Sequence, residues 1–188
     1  MLEYSVRLLK EVELVNNSIT IMGASITKPE SVAAYQLLSS LLVRGGTGGI
    51  KELLKDRFGR PFDPIRPNLF LSIAHSKTAI AAAVSIGRRV GIDVEENTCY
   101  DISMAELVLT KAQKNAVEKS SDPGKSFIRY WVRKEALGKA IGRGIEDSVL
   151  KADVENDLVS VEGSLYCLKD ICSPFGTQAA LTISHKSV

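Results

Sequence analysis

Cysteine is scarce: Cys99, Cys167 and Cys172 make an odd count with no C-x-x-C spacing. That excludes a disulfide framework and a cysteine zinc site, and buried structural thiols are expected instead. Long apolar runs are lacking too. The longest, around Ile80 to Ser85, fall far below the roughly 20 residues that cross a bilayer, so no membrane partner is expected. The opening MLEYSVRLLKEVELV alternates and carries acids early, unlike the basic-then-apolar layout of a secretory signal. A cytoplasmic location is expected. Nor does one sign of charge dominate: 24 basic and 22 acidic residues leave a net charge of +2, which gives no nucleic-acid footprint.

What is present is the balance of a soluble globular chain, with 45% hydrophobic and 24% charged residues. The length of 188 residues suits one ordinary domain or two small lobes sharing a core. Charge is uneven locally: residues 111 to 143 hold nine Lys or Arg against three acids. A basic surface there would attract an acidic protein or a polyphosphate; a solvated helical face explains it equally well.

Alternation at Tyr4, Val6, Leu8, Val12 and Leu14 predicts strand, and Asn16-Asn17 a turn into a second strand at 18 to 22. Thr27-Lys-Pro-Glu30 has capping-box spacing, and a helix with its apolar stripe at Val32, Tyr35, Leu38, Leu41 and Leu42 should stop at Gly45-Gly46. GGTGG at 45 to 49 lacks the ending of a phosphate loop and reads as connector. A short helix is expected at 50 to 56 and loop at 58 to 67. Strands are expected at 69 to 73, 78 to 85 and 90 to 95, and a helix at 103 to 119. Asp122-Pro-Gly124 should break the chain before a helix capped by Ser126 and ended by Gly142. Strand-like pieces follow at 148 to 154, 158 to 161, 164 to 168 and 177 to 184. TAIAAAVS at 78 to 85 and TQAALTIS at 177 to 184 each close one half, a weak hint of two related lobes.

The helix FIRYWVRKEALGKAIGRG carries Glu135 and Lys139 one turn apart among Trp131, Val132, Ala136, Leu137, Ala140 and Ile141. Charges on a helix this apolar are partly buried and need compensation. GIDVE at 91 to 95 supplies a partner. Asp93 and Glu95 are two apart, so on a strand both point to one side, where one would take up a proton unless a cation sits between them. A hard ion such as Mg²⁺ suits two such carboxylates, with Glu135 as a third oxygen donor and Lys139 facing a phosphate. Taken singly, D-x-E is more often a solvated strand end.

Gly91-Ile-Asp-Val-Glu95, followed by Phe127, Trp131, Lys134-Glu135-Ala136, Lys139-Ala140, Gly142 and Gly144, resembles the signature of the 4′-phosphopantetheinyl transferases. Upstream, Phe58-Gly-Arg-Pro61 resembles the family's G-K-P element and Phe70 to Ser76 its F-N-x-S-H-S element. Their position before G-I-D is the order of the two-lobe, Sfp-type group. The resemblance implies an α+β fold of two pseudo-symmetric lobes, each a small antiparallel sheet packed on a long helix. The lobes would be residues 1–88 and 89–188, the second carrying the metal-binding and catalytic motifs. It implies transfer of phosphopantetheine from coenzyme A to a serine of an acyl or peptidyl carrier protein, releasing 3′,5′-ADP, by a monomer. Asp93, Glu95 and Glu135 would hold Mg²⁺, Lys139 and Lys134 would neutralise phosphate, and Arg60 and His75 would contact coenzyme A. Glu135, or a water it positions, would be the base.

The sequence departs from the family pattern at Arg60 (lysine expected), at Ala74 (serine expected) and at Gln113, where many relatives carry glutamate. Tyr35 falls near a common arginine position. Two other readings stay open: a non-catalytic carrier-binding module on the same scaffold, and a metal-dependent hydrolase of coenzyme A or a nucleotide.

Overall fold

The computed structural model describes residues 1–8, 19–21, 24–26, 28–49, 53–98, 101–174 and 176–186. The expected turn at Asn16-Asn17, Thr27 of the expected capping box, Cys99 and the start of the expected helix at 50 to 56 lie outside them.

Two antiparallel sheets form the α+β framework. The first has the order β1-β7-β6-β5-β4, from β1 (Leu2–Leu8), β4 (Leu54–Lys55), β5 (Pro61–Phe62), β6 (Leu69–His75) and β7 (Ala79–Ile86). The second has the order β8-β11-β10-β9, from β8 (Val90–Glu96), β9 (Leu158–Val161), β10 (Ser164–Ile171) and β11 (Thr177–Ser184). Two short strands, β2 (Ile19–Ile21) and β3 (Ala24–Ile26), pair with each other.

Helix α1 (Pro29–Arg44) begins with Pro29, whose missing N–H costs nothing there, and ends at Gly45. Its buried face, from Val32 to Leu42, packs on one side of the first sheet with Ile80, Ala82 and Val84 of β7. The alternate residues Ala79, Ala81 and Ala83 pack the other way, against Val90, Ile92 and Val94 of β8 and Ala179 and Leu181 of β11. Because β7 is buried on both faces, it reads as an unbroken apolar run. Alanine on the inter-sheet face lets the two sheets approach closely.

Helix α4 (Pro123–Ile141) covers the far face of the second sheet, with Phe127, Leu137, Ala140 and Ala180 in its core and Trp131 packed at the margin. Asp122 caps it by accepting the Lys125 N–H at 2.9 Å. It ends at Gly142, whose φ of 90° suits a residue without Cβ. Before it lie α2 (Ile102–Val108) and α3 (Lys111–Glu118), and after it α5 (Asp147–Leu150).

Several expectations change. The expected helix at 103 to 119 is two helices, because Thr110 and Gln113 form a capping box that starts a new one. Asp122 with Pro123 opens α4 earlier than Ser126. Part of the expected strand at 148 to 154 is α5. Leu54–Lys55, placed in a helix by sequence, is a strand pairing with Pro61–Phe62 around a turn where Gly59 has φ 80°. Among the described residues β1 pairs with β7; residues 9–18, through which the expected hairpin would run, lie outside them. Cys172 is exposed and Cys167 half-buried, so neither is a core thiol.

Candidate active site

Strand β8 lies on α4 at a distance that Gly91 alone permits. A Cβ there would sit 2.6 Å from the Ala140 backbone nitrogen and closer still to the Ala136 carbonyl oxygen. Strand alternation puts Asp93 and Glu95 on this same face, toward Glu135 and Lys139 of the helix. The ammonium of Lys139 donates to Asp93 Oδ1 at 2.7 Å. Asp93 is buried, and its Oδ2 has no hydrogen-bond partner.

Electrostatics marks the cluster as short of positive charge. Burial, then repulsion from Asp93 and Glu96, pushes Glu95 up to about 7, with Lys139 pulling the other way and Glu135 adding further repulsion. Burial and then Asp93 push Glu135 upward as well, again against Lys139. Three oxygen-donor acids, one orphaned buried oxygen and two carboxyls held above their usual range suit a hard divalent cation in kind and charge. As the side chains stand, no three acid, His or Cys groups among the described residues converge tightly enough to chelate an ion. The positive charge that stands beside Asp93 is the Lys139 ammonium.

A cleft of about 240 Å³ opens beside this cluster, lined by Glu135, Lys139, Arg60, Ser72, Ile73, Gly142 and Gly144 among others. Arg60 pairs with Asp56 at 3.2 Å and lies across the end of α4. A Cβ on Gly142 would meet its Nη1 at 2.8 Å. Arg60, Glu135 and Lys139 therefore share one cleft, and Asp93 joins them through Lys139.

Lys134 does not. It is fully buried, and its ammonium donates to the backbone carbonyls of Val149 and Ala152, both at 3.4 Å, and of Leu150. Burial pulls its pKa from 10.5 down to about 8. Adjacent helix positions point about 100° apart, so the residue before Glu135 faces the α5 segment instead of the cleft. The structure thus does not bring Lys134, expected to neutralise phosphate, together with the residues lining the cleft.

His75 ends β6 on the surface and shares a 3.3 Å hydrogen bond with Ser31 Oγ near the start of α1; it lies two residues beyond Ile73 of the cleft wall but does not itself line the cleft. Gln113 is buried and donates to the Ala152 carbonyl at 3.1 Å, so it serves the fold of this corner and does not join the acids. Tyr35 is buried in the α1 core, its hydroxyl pushed up to about 12 by burial. The basic stretch at 111 to 143 is also thinner than its count implies. Arg129 and Arg133 pair with Asp170, Arg143 with Glu146 and Glu162, and Lys114 with Glu106.

Sequence reasoning missed Ser72, which accepts the Ile92 N–H at 3.1 Å, and Glu96, which reaches the first sheet. The alternation that flagged Asp93 and Glu95 also turns Ile92, Val94 and Glu96 the opposite way, and that signal was present.

An α+β protein with an acid–lysine cluster between β8 and α4, beside a cleft that also holds Arg60, is the class that fold and site define. A family model described as the 4′-phosphopantetheinyl transferase superfamily matches residues 89–178. The chain is 32% identical over 100 residues to the 4′-phosphopantetheinyl transferase gsp of Aneurinibacillus migulanus, covering 48% of this chain and 38% of that protein. It is 24% identical over 128 residues to the 4′-phosphopantetheinyl transferase of Bacillus subtilis, covering 67% and 53%. It is 32% identical over 99 residues to the 4′-phosphopantetheinyl transferase HetI of Nostoc sp., covering 50% and 39%. The matched segments thus span between 38% and 53% of these relatives. The family model thus matches just under half of the chain. No helix among the described residues is long and apolar enough to cross a membrane.

Proposed function

We propose that the protein transfers the 4′-phosphopantetheine group of coenzyme A to a serine hydroxyl of an acyl or peptidyl carrier protein, with Mg²⁺, and releases 3′,5′-ADP. The observation that carries this reading is the Asp93–Lys139 pair, set beside two acids raised by burial and by repulsion from Asp93, at the edge of a cleft that also holds Arg60.

The serine Oγ forms a bond to the phosphorus nearer the pantetheine. The bond from that phosphorus to the bridging oxygen breaks, and its electron pair leaves on 3′,5′-ADP. Glu135, or a water it positions, receives the serine proton. Lys139, freed from Asp93 by an incoming phosphate, donates to the pyrophosphate, and Arg60 adds a fixed planar donor at the cleft wall. Asp93, Glu95 and Glu135 would hold the Mg²⁺, and the chemistry it supplies is charge neutralisation on the pyrophosphate. His75 takes a coenzyme A phosphate at the margin, on the first sheet. Positioning and neutralisation are most of what phosphoryl transfer needs.

Release of 3′,5′-ADP, followed by chromatography with coenzyme A, Mg²⁺ and an apo carrier, tests the reading. The expected result is stoichiometric release that needs the carrier. Release without a carrier would point to hydrolysis. Coenzyme A binding with no release for either carrier class would point to a binding module.

A further inference from the structure

Glu96 ends β8 facing away from the acids that precede it. Its face of the strand is that of Ile92 and Val94, which pack on the alanines of β7. One oxygen, Oε1, accepts the Ser76 hydroxyl at 2.6 Å, the Thr78 backbone N–H at 2.8 Å and the Thr78 hydroxyl at 2.9 Å. Ser76 and Thr78 belong to the turn between β6 and β7, closed by the Ser76 N–H donating to the Ala79 carbonyl at 2.8 Å. That turn starts directly after His75.

A second crossing lies deeper, where the Ile92 N–H donates to Ser72 Oγ inside the protein. Ser76, just past the end of β6, follows Ser72 by four residues, as Glu96 follows Ile92 along β8. Two pins therefore bracket the segment of β8 that carries Asp93 and Glu95. A solvated strand-end carboxylate has no reason to collect three donors from a different sheet; this one joins the His75 turn to the acid-bearing strand.

We propose that Glu96 is a positioning residue, whose carboxylate fixes the His75 turn relative to Asp93 and Glu95 so that the two sheets grip one coenzyme A together. The inference rests on the transferase reading above. Adjacent glutamates thus divide the work: Glu95 faces the α4 cluster, and Glu96 sets the distance between the sheets.

The test compares wild type, Glu96→Gln, Glu96→Ala and, from the other side of the contact, Thr78→Val. Each is assayed for carrier modification at varied coenzyme A, and its Thr78 amide is followed by hydrogen exchange. Glutamine keeps an acceptor oxygen at the same reach. The expected result for Glu96→Ala is a KM for coenzyme A raised about tenfold, with kcat changed far less, and Thr78 protection lowered to a similar degree. Thr78→Val should raise KM in the same direction, and Glu96→Gln should recover most of the wild-type KM. An alanine variant that loses thermal stability but keeps the wild-type KM would overturn the proposal, as would a glutamine variant no better than alanine. A wild type that modifies no carrier would overturn the transferase reading and this one with it, whereas an active wild type beside an equally active alanine variant overturns this one alone.

Discussion

Gly91 of β8 and Ala136 of α4 meet backbone to backbone, with no room for a Cβ between them. The contact draws the strand onto the helix and sets the reach between Asp93 and Lys139. Neither backbone is a flexible side-chain end that can yield. Gly91→Ala is therefore expected to cost about 3 kcal/mol or more and to part Asp93 from Lys139. Urea denaturation measures the first effect. A variant as stable as wild type would show that α4 can shift.

On the proposed reading Lys139 would compete with a metal for Asp93. Replacing it with methionine removes the ammonium that holds Asp93 Oδ1 and, on the proposed reading, a donor for the pyrophosphate. Lys139→Met is expected to bind Mg²⁺ more tightly than wild type in the absence of coenzyme A, while transfer falls at least about 100-fold. Isothermal titration with Mg²⁺ alone checks the first half. Weaker metal binding in the variant would mean that Lys139 supports the acids and does not compete for them.

The acids should make metal-free stability depend on pH. Glu95 has a folded pKa of about 7 against an ordinary value of 4.5. Its ionised form is therefore disfavoured in the folded state, and stability is lost as pH rises through the window from 4.5 to 7. Glu135 shifts in the same direction. The loss should be about 1–2 kcal/mol for Glu95, discounted because this side chain is only half-buried. Thermal melts at pH 5 and 7.5 in EDTA should show it, and Mg²⁺ should restore the higher-pH sample. A melt that rises between these values would contradict the assignment.

Lys134 belongs to the fold. Lys134→Met fills similar space but leaves the Val149, Leu150 and Ala152 carbonyls without their shared donor. A loss of about 2–3 kcal/mol is expected, with an unchanged KM for coenzyme A in the folded enzyme. Steady-state kinetics below the melting temperature decides it, since a raised KM would return Lys134 to the cleft.

Much of this was legible in the residues, for reasons that can be named. Period-2 alternation placed Asp93 and Glu95 on one face, and the i,i+4 spacing placed Glu135 and Lys139 on another. The long apolar segments at 78 to 85 and 177 to 184 became β7 and β11 because burial on both faces leaves little else for such runs to be. Short elements were harder. Leu54–Lys55 has two residues of strand, too few for any period, and its identity comes from its partner at Pro61–Phe62. The split at Thr110 was written as T-x-x-Q and was passed over within a longer helical pattern. Lys134 was carried to the cleft by its place in a motif, although it sits next to Glu135 and so on a different helix face. Which way Asp93 would spend its negative charge was not legible, because the pairing with Lys139 depends on how closely Gly91 lets β8 approach.

The central claim is that the β8–α4 cluster performs phosphopantetheine transfer, and intact mass spectrometry of the carrier tests it most directly. Wild type, Asp93→Ala and Glu135→Ala are each mixed with coenzyme A, Mg²⁺ and an apo acyl or peptidyl carrier protein. The account predicts a carrier that gains one phosphopantetheine with wild type and metal, and stays apo with either variant or with EDTA. A carrier modified equally by the two variants, or one left apo by wild type for both carrier classes, would contradict it.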